Sequence, residues 1–482
     1  MTSNTVKFVY ENQIIEIQNP DSNETILNYV RTKLKKTGTK EGCAEGGCGA
    51  CSVVLGELKK NNIDYKAINS CIAFVPSLEG KQLILVENLV SKDELQPVQE
   101  AMVNYHGSQC GFCTPGFVMS LFAMYKNYSF YTDNIIKDSI QGNLCRCTGY
   151  RPIIDAAKSL NKKNRFDHFS KNKKITISLL KKIKQRSIAI SSNNKKYFAP
   201  KSVRELKKIL KQHPNSKLLS GGTDVSLIVT KERKDLDSLI YMNSIEELNY
   251  IKKNNNYIEV GATTPLINFE FFIKKYFPDF YQILIRYGSV QIRNVCTIAG
   301  NIATASPIGD TLPMLLALDS QIIIKDKNKT KILPMNGFFI NYRKTRLKKG
   351  QFIHSIRIPL LLKNIFKAYK ISKRIDDDIS SVCASFNIEL KNNKIKKIKI
   401  AYGGMANIPK RAINCEKILL NSIMSDKIIN KAKKSLEKDF RPITDTRASQ
   451  RYRMEIAKNL LEKCFLEIKQ KKLIRINIQN EW

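Results

Sequence analysis

The chain has 482 residues, enough for about three domains of ordinary size, each with its own core. Its formal charge of +38, from 81 Lys and Arg against 43 Asp and Glu, is spread over nearly every segment alongside Ile and Asn, so it does not mark a nucleic-acid-binding patch. Charged residues interrupt every apolar run before the roughly 18–20 residues that span a bilayer, and the amino-terminal MTSNTVKFVYENQIIEIQ lacks the apolar core of a secretory signal; the expectation is a cytoplasmic protein, where clustered thiols read as metal ligands rather than disulfides.

Thr5 to Tyr10 and Gln13 to Gln18 alternate apolar and polar residues around Glu11-Asn12 and predict a hairpin. Asp21 to Lys36 predicts a helix with Ser22 or Asn23 as N-cap and Ile26, Leu27, Val30 and Leu34 on one face. A glycine-rich loop follows, and with it the first four of eight grouped cysteines: Cys43, Cys48, Cys51 and Cys71, spaced C-x4-C-x2-C-x19-C. Four thiolates gathered by short loops make a soft anionic cage suited to zinc or to an iron–sulfur cluster. Zinc favours two short-spaced pairs, whereas three close cysteines and one distant one is the plant-type ferredoxin spacing. Hairpin, helix and cysteine loop is likewise the order of that β-grasp fold.

From Gln96 the pattern turns helical, with helices expected over Pro97 to Val103, Gly116 to Tyr125, Asn134 to Gln141 and Pro152 to Leu160. The loops between them carry QCGFCTPG, from Gln109, and GNLCRCTGY, from Gly142, and so the second group, Cys110, Cys113, Cys145 and Cys147. A four-helix domain holding one cluster where the two loops meet is the expectation, with a small zinc knuckle as the alternative from these residues alone.

EGCAEGGCGAC, QCGFCTPG and GNLCRCTGYRPI together resemble the iron–sulfur half of the molybdenum hydroxylases, the xanthine dehydrogenase and aldehyde oxidase family. The resemblance implies two [2Fe–2S] clusters, the second nearest the molybdenum cofactor, with Gln109 and Cys147 matching the positions that approach the pterin.

Asn161 to Lys196 is rich in Lys, Asn and Ser and reads as an inter-domain connector with a short amphipathic stretch at Ile175 to Ile183. Ser202 is expected to cap a helix, Val203 to Gln212. Leu218, Leu219, Ser220, Gly221, Gly222, Thr223, Asp224 and Val225 then form a strand entering a Gly-Gly turn, whose backbone N–H groups and Thr223 hydroxyl suit a pyrophosphate. This is not a G-x-G-x-x-G motif, so a Rossmann fold is not indicated. YGSVQIRN, from Tyr287, runs into CTIAGNIATASPIGD, dense in small residues and hydroxyls that permit close backbone approach to a dinucleotide.

These segments resemble the flavin domain of the same family, of the vanillyl-alcohol-oxidase type. By that resemblance Leu218 to Val225 hold the FAD pyrophosphate; Thr297, Ile298, Ala299, Gly300, Asn301 and Asp310 complete the site; Tyr287 lies beside the flavin; and Lys410 matches a lysine at the adenine end. Ala299 stands where the family commonly has glycine. Further on, Asp376, Asp377 and Asp378 read as a turn or an ion pair with Arg374 rather than a metal site. Helices over Ile423 to Lys438 and Ser449 to Ile468 close a C-terminal α+β domain, and Cys296, Cys383, Cys415 and Cys464 read as buried thiols.

The resulting expectation is a multidomain α+β chain: a β-grasp [2Fe–2S] ferredoxin domain at 1–90, a four-helix [2Fe–2S] domain at 91–165, a linker at 166–196, an FAD domain at 197–365 and a C-terminal α+β domain at 366–482. The resemblance implies an electron-transfer subunit without a catalytic residue of its own for the purine step. Electrons from hydroxylation of xanthine or hypoxanthine at a molybdopterin cofactor on a partner large subunit would pass through both clusters to FAD and on to NAD+. Two small and two large subunits would form a heterotetramer. The same architecture serving an aldehyde or another heterocycle is the alternative.

Overall fold

Glu11 and Asn12 both adopt positive φ, 48° and 58°, the two-residue turn whose twist suits a tight hairpin, and across it Thr5–Tyr10 pairs antiparallel with Gln13–Gln18. The computed structural model describes residues 3–92, 94–162, 166–183, 186–360 and 363–474. Met1, Thr2 and the domain limits expected at 165 and 482 lie outside them. The described chain divides into two units, 1–249 with 265–267 and 288–297, and 250–264 with 268–287 and 298–482.

In the first unit the hairpin belongs to a five-stranded mixed sheet in the order Gln13–Gln18, Thr5–Tyr10, Gln82–Ile84, Ser52–Lys59, Asn62–Asn69. Val6, Phe8, Val53 and Leu83 of this sheet share a buried core with Ile26 and Val30 of the helix Ile26–Thr32, which is the β-grasp arrangement. That helix is shorter than the predicted Asp21 to Lys36. Thr25, not Ser22 or Asn23, is its N-cap, accepting from Asn28 N at 3.1 Å, and Lys35 at φ 57° follows its end. Asn23 is drawn elsewhere: its amide donates to the Leu236 carbonyl at 3.1 Å and its Oδ1 accepts from Leu236 N at 2.7 Å, both buried. A strong local cap signal loses to a two-bond tertiary match.

Four helices follow, Pro97–Asn104, Thr114–Asn127, Asp133–Ile140 and Arg151–Ser159, close to the expected ones. Phe117, Leu121, Phe122, Ile136, Ile153 and Ala157 form their core. The described residues of the stretch expected to be a solvated connector, 166–183 and 186–196, instead carry helices and strands. Asp167 caps the helix His168–Lys171 and is nearly buried, paired with Lys126 at 2.8 Å, and Phe169 packs on Phe122 with ring centroids 4.9 Å apart. Lys173–Lys182 is a second helix. Ile188–Ser192 and Lys195–Ala199 then open a four-stranded sheet completed by Ser238–Tyr241 and Lys217–Leu219, the last three strands parallel. Its capping helix Val203–Gln212 begins at Ser202 as expected.

The second unit holds a five-stranded antiparallel sheet, Ile251–Lys253, Tyr257–Gly261, Phe352–Pro359, Gln321–Lys325 and Thr330–Pro334. A separate four-stranded sheet runs Ile365–Ile371, Val382–Lys391, Lys394–Gly403, Lys410–Arg411. The helices Ile413–Leu419, Asp426–Asp439 and Gln450–Gln470 pack on it around Phe386, Ile400, Tyr402, Leu436 and Leu461. The first of these was not anticipated. The aspartate run is a turn, with Arg374 N donating to Asp378 Oδ2 at 2.8 Å, and Cys296, Cys383, Cys415 and Cys464 are all buried. Among the described residues no helix is long and apolar enough to cross a membrane.

Replacing Asn23 with Ala leaves both Leu236 backbone groups buried without partners, which costs about 1–3 kcal/mol per unsatisfied group. Denaturant unfolding should show the first unit destabilised, with the second unit's transition unmoved.

Candidate redox centres

The cysteine loop 43–51 is built around glycines. Gly46 and Gly49 hold φ of 78° and 69°, which side chains disfavour, and a Cβ on Gly42 would stand 2.8 Å from Cys48 Sγ. The turn aims backbone N–H groups of Glu45 and Gly47 at Cys43 Sγ, 3.4 and 3.3 Å away. Cys51 and Cys71 lie with their sulfurs 3.3 Å apart. The Cys48 and Cys71 thiols, sharing protons with Cys43, pull its thiol far down, and Cys43 in turn pushes Cys48 and Cys71 far up. Four thiols thus touch in a chain, 48 to 43 to 71 to 51. Thiols gathered this closely suit a polyvalent iron centre, which takes them as thiolates.

The second group assembles from the two expected loops. Cys113 is N-cap of Thr114–Asn127, and Gly111 and Gly149 take φ of 83° and 64° on either side. Burial, then the Cys145 thiol, pushes Cys113 up to about 12. Burial also works upward on Cys145, but the Thr148 hydroxyl at 3.1 Å and N–H at 3.4 Å outweigh it and hold this thiol down. Cys147 is raised by its hydrogen bond with Cys110. Cys110 and Cys147 are exposed, whereas Cys51 and Cys71 are buried. Donors aimed at sulfur and glycines that let the backbone close in fit both groups to iron–sulfur centres.

The two groups are joined. Leu144 N, one residue before Cys145, donates to the Cys48 carbonyl at 3.0 Å. Beside it Asn143 Nδ2 donates to the Gly49 carbonyl at 3.1 Å.

The predicted flavin residues fall in both units. In the first, the strand Lys217–Leu219 delivers Ser220 to Val225 into a turn with Gly222 at φ 73°. A Cβ on Gly221 would lie inside contact distance of the Val295 carbonyl, and one on Gly222 would be 2.9 Å from the Ile72 carbonyl, next to Cys71. The Ser226 hydroxyl at the end of the turn is buried without a hydrogen-bond partner. A glycine cradle with an orphaned hydroxyl fits a phosphate-bearing cofactor. Thr297 is also buried in this unit.

In the second unit Ile298, Ala299, Gly300 and Asn301 lie on the helix Ile298–Thr304. Asn301 donates to the Tyr287 hydroxyl at 3.0 Å and accepts from Thr311 at 2.6 Å, which orients both amide ends. Asp310 is paired with Lys370 at 2.7 Å, the two side chains 6 % and 1 % exposed, and also accepts from Ser380 at 2.5 Å. Lys370 donates as well to the Arg286 carbonyl at 2.9 Å, beside Tyr287. Lys410 is occupied elsewhere: its Nζ donates to the Asp439 carbonyl at 2.7 Å and lies 5.9 Å over the Phe440 ring, at the carboxyl end of Asp426–Asp439. A second lysine, Lys370, is tied directly to the predicted flavin residue Asp310. Its signal in the sequence was a lysine amid the apolar strand IFKAYKI.

Lys370→Met strands the Asp310 carboxylate in a buried site, a loss of about 3–5 kcal/mol. Purified protein should contain less flavin per chain than the parent at unchanged iron content, by absorbance and metal analysis.

Comparison with known proteins gives the same parts in the same order. Residues 9–76 match the 2Fe-2S iron-sulfur cluster binding domain and 85–158 the [2Fe-2S] binding domain. Residues 190–361 match the FAD binding domain in molybdopterin dehydrogenase, and 367–468 the CO dehydrogenase flavoprotein C-terminal domain. Over 90% of its length the chain is 32% identical to a xanthine dehydrogenase of Emericella nidulans, covering 36% of that protein. Over 84% it is 30% identical to the xanthine dehydrogenase/oxidase of Rattus norvegicus, covering 35%. The chain thus spans just over a third of the length of these curated relatives. Carbon monoxide dehydrogenase from Hydrogenophaga pseudoflava shares the fold over 55% of this chain and 94% of its own, with TM-score 0.53 and 23% identity. Quinoline 2-oxidoreductase from Pseudomonas putida 86 does so over 58% and 98%, with TM-score 0.53 and 18% identity. Two iron–sulfur domains and a two-part flavin module in this order make the chain a member of the molybdenum hydroxylase family, carrying that family's electron-transfer portion.

Proposed function

We propose that the chain is the electron-transfer subunit of a cytoplasmic xanthine dehydrogenase, passing electrons from purine hydroxylation at a partner subunit's molybdopterin cofactor to NAD+. The observation that carries this reading is an uninterrupted row within the first unit. Cys145 adjoins Leu144, Leu144 N–H bonds the Cys48 carbonyl, Cys48 and Cys71 both touch Cys43, and Ile72 presses its carbonyl on Gly222 of the glycine turn. The exposed thiols Cys110 and Cys147 stand at one end of that row and the phosphate cradle at the other. This order supports entry of electrons at the exposed end and exit at the cradle.

Cys43, Cys48, Cys51 and Cys71 would hold one [2Fe–2S] cluster and Cys110, Cys113, Cys145 and Cys147 the other. In the first unit Leu218 to Val225 and Thr297 would bind the FAD pyrophosphate; in the second, Tyr287 and Ile298 to Asn301 are flavin-binding residues by the family resemblance, with Asp310 locked by Lys370 as their support. Iron–sulfur clusters supply one-electron steps, and flavin converts between one- and two-electron chemistry. The protein's own share is to aim N–H groups at Cys43 and Cys145, to keep Cys51 and Cys71 from water, and to bring Cys48 and Leu144 into hydrogen-bond contact. Xanthine as substrate is inferred from the name that the relatives carry; hypoxanthine, NAD+ as acceptor and a heterotetramer of two small and two large subunits are inferred from the resemblance of the cysteine and flavin motifs to the molybdenum hydroxylases.

The Cys113→Ser variant, prepared with its large subunit, should lose purine-to-NAD+ turnover while NADH still bleaches the flavin absorbance. Equal loss of both activities contradicts this order of centres, and turnover of aldehydes but not purines by the parent contradicts the substrate.

A further inference from the structure

Gln291 is fully buried on the short helix Val290–Arg293, in the segment 288–297 that packs with the first unit although its chain neighbours on both sides belong to the second. Its Nε2 lies 2.9 Å from Ser120 Oγ, 3.0 Å from Asn143 Oδ1 and 3.4 Å from Ser52 Oγ. Each partner lies on a strand, helix or loop that adjoins a thiol. Ser52 follows Cys51, Ser120 is on the helix that starts after Cys113, and Asn143 stands two residues before Cys145.

Two of the three partners converge on one carbonyl, and the third bonds one of them. Ser52 Oγ and Asn143 Nδ2 both donate to Gly49 O, at 2.7 and 3.1 Å, and Ser120 Oγ donates to Asn143 Oδ1 at 2.7 Å. Packing leaves little slack: a Cβ on Gly142 would be 2.5 Å from Gln291 Oε1 and 2.7 Å from Ser289 Oγ, and one on Gly49 would be 2.5 Å from Asn143 Nδ2. Arg293 to Asp138, 2.6 Å, and Asn294 Nδ2 to the Ala67 carbonyl, 2.8 Å, pin the segment at its far end.

We propose that Gln291 is a positioning residue for electron exchange between the two thiolate groups: its amide holds Asn143, and through it the Leu144-to-Cys48 hydrogen bond, in register. This rests on the reading of both thiol groups as iron–sulfur sites. A buried amide with three oxygen acceptors in reach sets orientation in a way an apolar side chain of the same length does not. Methionine at 291 keeps length and burial but removes the donor.

The test uses the holoenzyme with both clusters reduced and measures the spin–spin splitting of their low-temperature EPR signals, with iron content as the control. Gln291→Met should retain full iron and both signals but lose or narrow the splitting. Ser120→Ala, which removes one acceptor of the amide and one donor to Asn143, should narrow it less. Full iron and parental splitting in Gln291→Met overturn the proposal. Should that variant lose iron, Ser120→Ala decides: narrowed splitting supports the proposal and unchanged splitting overturns it. A parent enzyme without iron–sulfur signals refutes the reading of the thiols instead.

Discussion

One backbone hydrogen bond, from Leu144 N–H to the Cys48 carbonyl, joins two cysteine groups that belong to different folds. A β-grasp sheet and a four-helix domain have no intrinsic reason to meet at these two residues. What brings them together is a set of places where only glycine or a short polar side chain fits. Gly49, Gly116 and Gly142 each leave room that a single added carbon would close, and Asn143, Ser120 and Ser52 fill the remainder with hydrogen bonds. Because interiors are close-packed and relax little, such a crossing behaves as a fixed joint rather than a sliding contact. Electron exchange through this portion of the molecule depends on that fixity.

The surroundings of the two groups differ in a way that matches a directional role. Cys51 and Cys71 sit among Leu27, Ile72, Leu227 and Ile292, against the glycine turn, while Cys110 and Cys147 face solvent beside the exposed Phe112 and Leu144. In the second unit charge is used differently. Asp310 and Lys370 form a buried pair that neutralises itself, with Ser380 and the Arg286 carbonyl adding one further hydrogen bond to each partner. A pair supported in this way tolerates burial, whereas either partner alone does not. It therefore serves to hold the residues around Asn301 and Tyr287 in place.

Much of this was legible in the sequence. The cysteine spacings, the hairpin with its Glu11-Asn12 turn, the four helices and the Ser202-capped helix all follow from local rules that the chain obeys. What was missed has a common cause, which is long-range partnership. Asn23 looked like a cap but answers to Leu236, 213 residues away. The lysine-rich stretch after Asn161 looked solvated, yet Asp167 and Phe169 anchor it to Lys126 and Phe122. Lys370 was passed over, because only the fold shows that it reaches the Asp310 carboxylate. Gln291 stood in YGSVQIRN, a stretch read for the flavin, and its bonding role was invisible there: its acceptors lie 148, 171 and 239 residues from it along the chain.

Electron flow in this order requires that the Cys43 group lie between the flavin cradle and the Cys110 group, with no bypass. A Cys48→Ser variant that lacks the first cluster tests it most directly, mixed with NADH and sampled by rapid freezing. The expected result is a reduced flavin and a second cluster that stays oxidised over the turnover time. Reduction of the second cluster as fast as in the parent enzyme would contradict it.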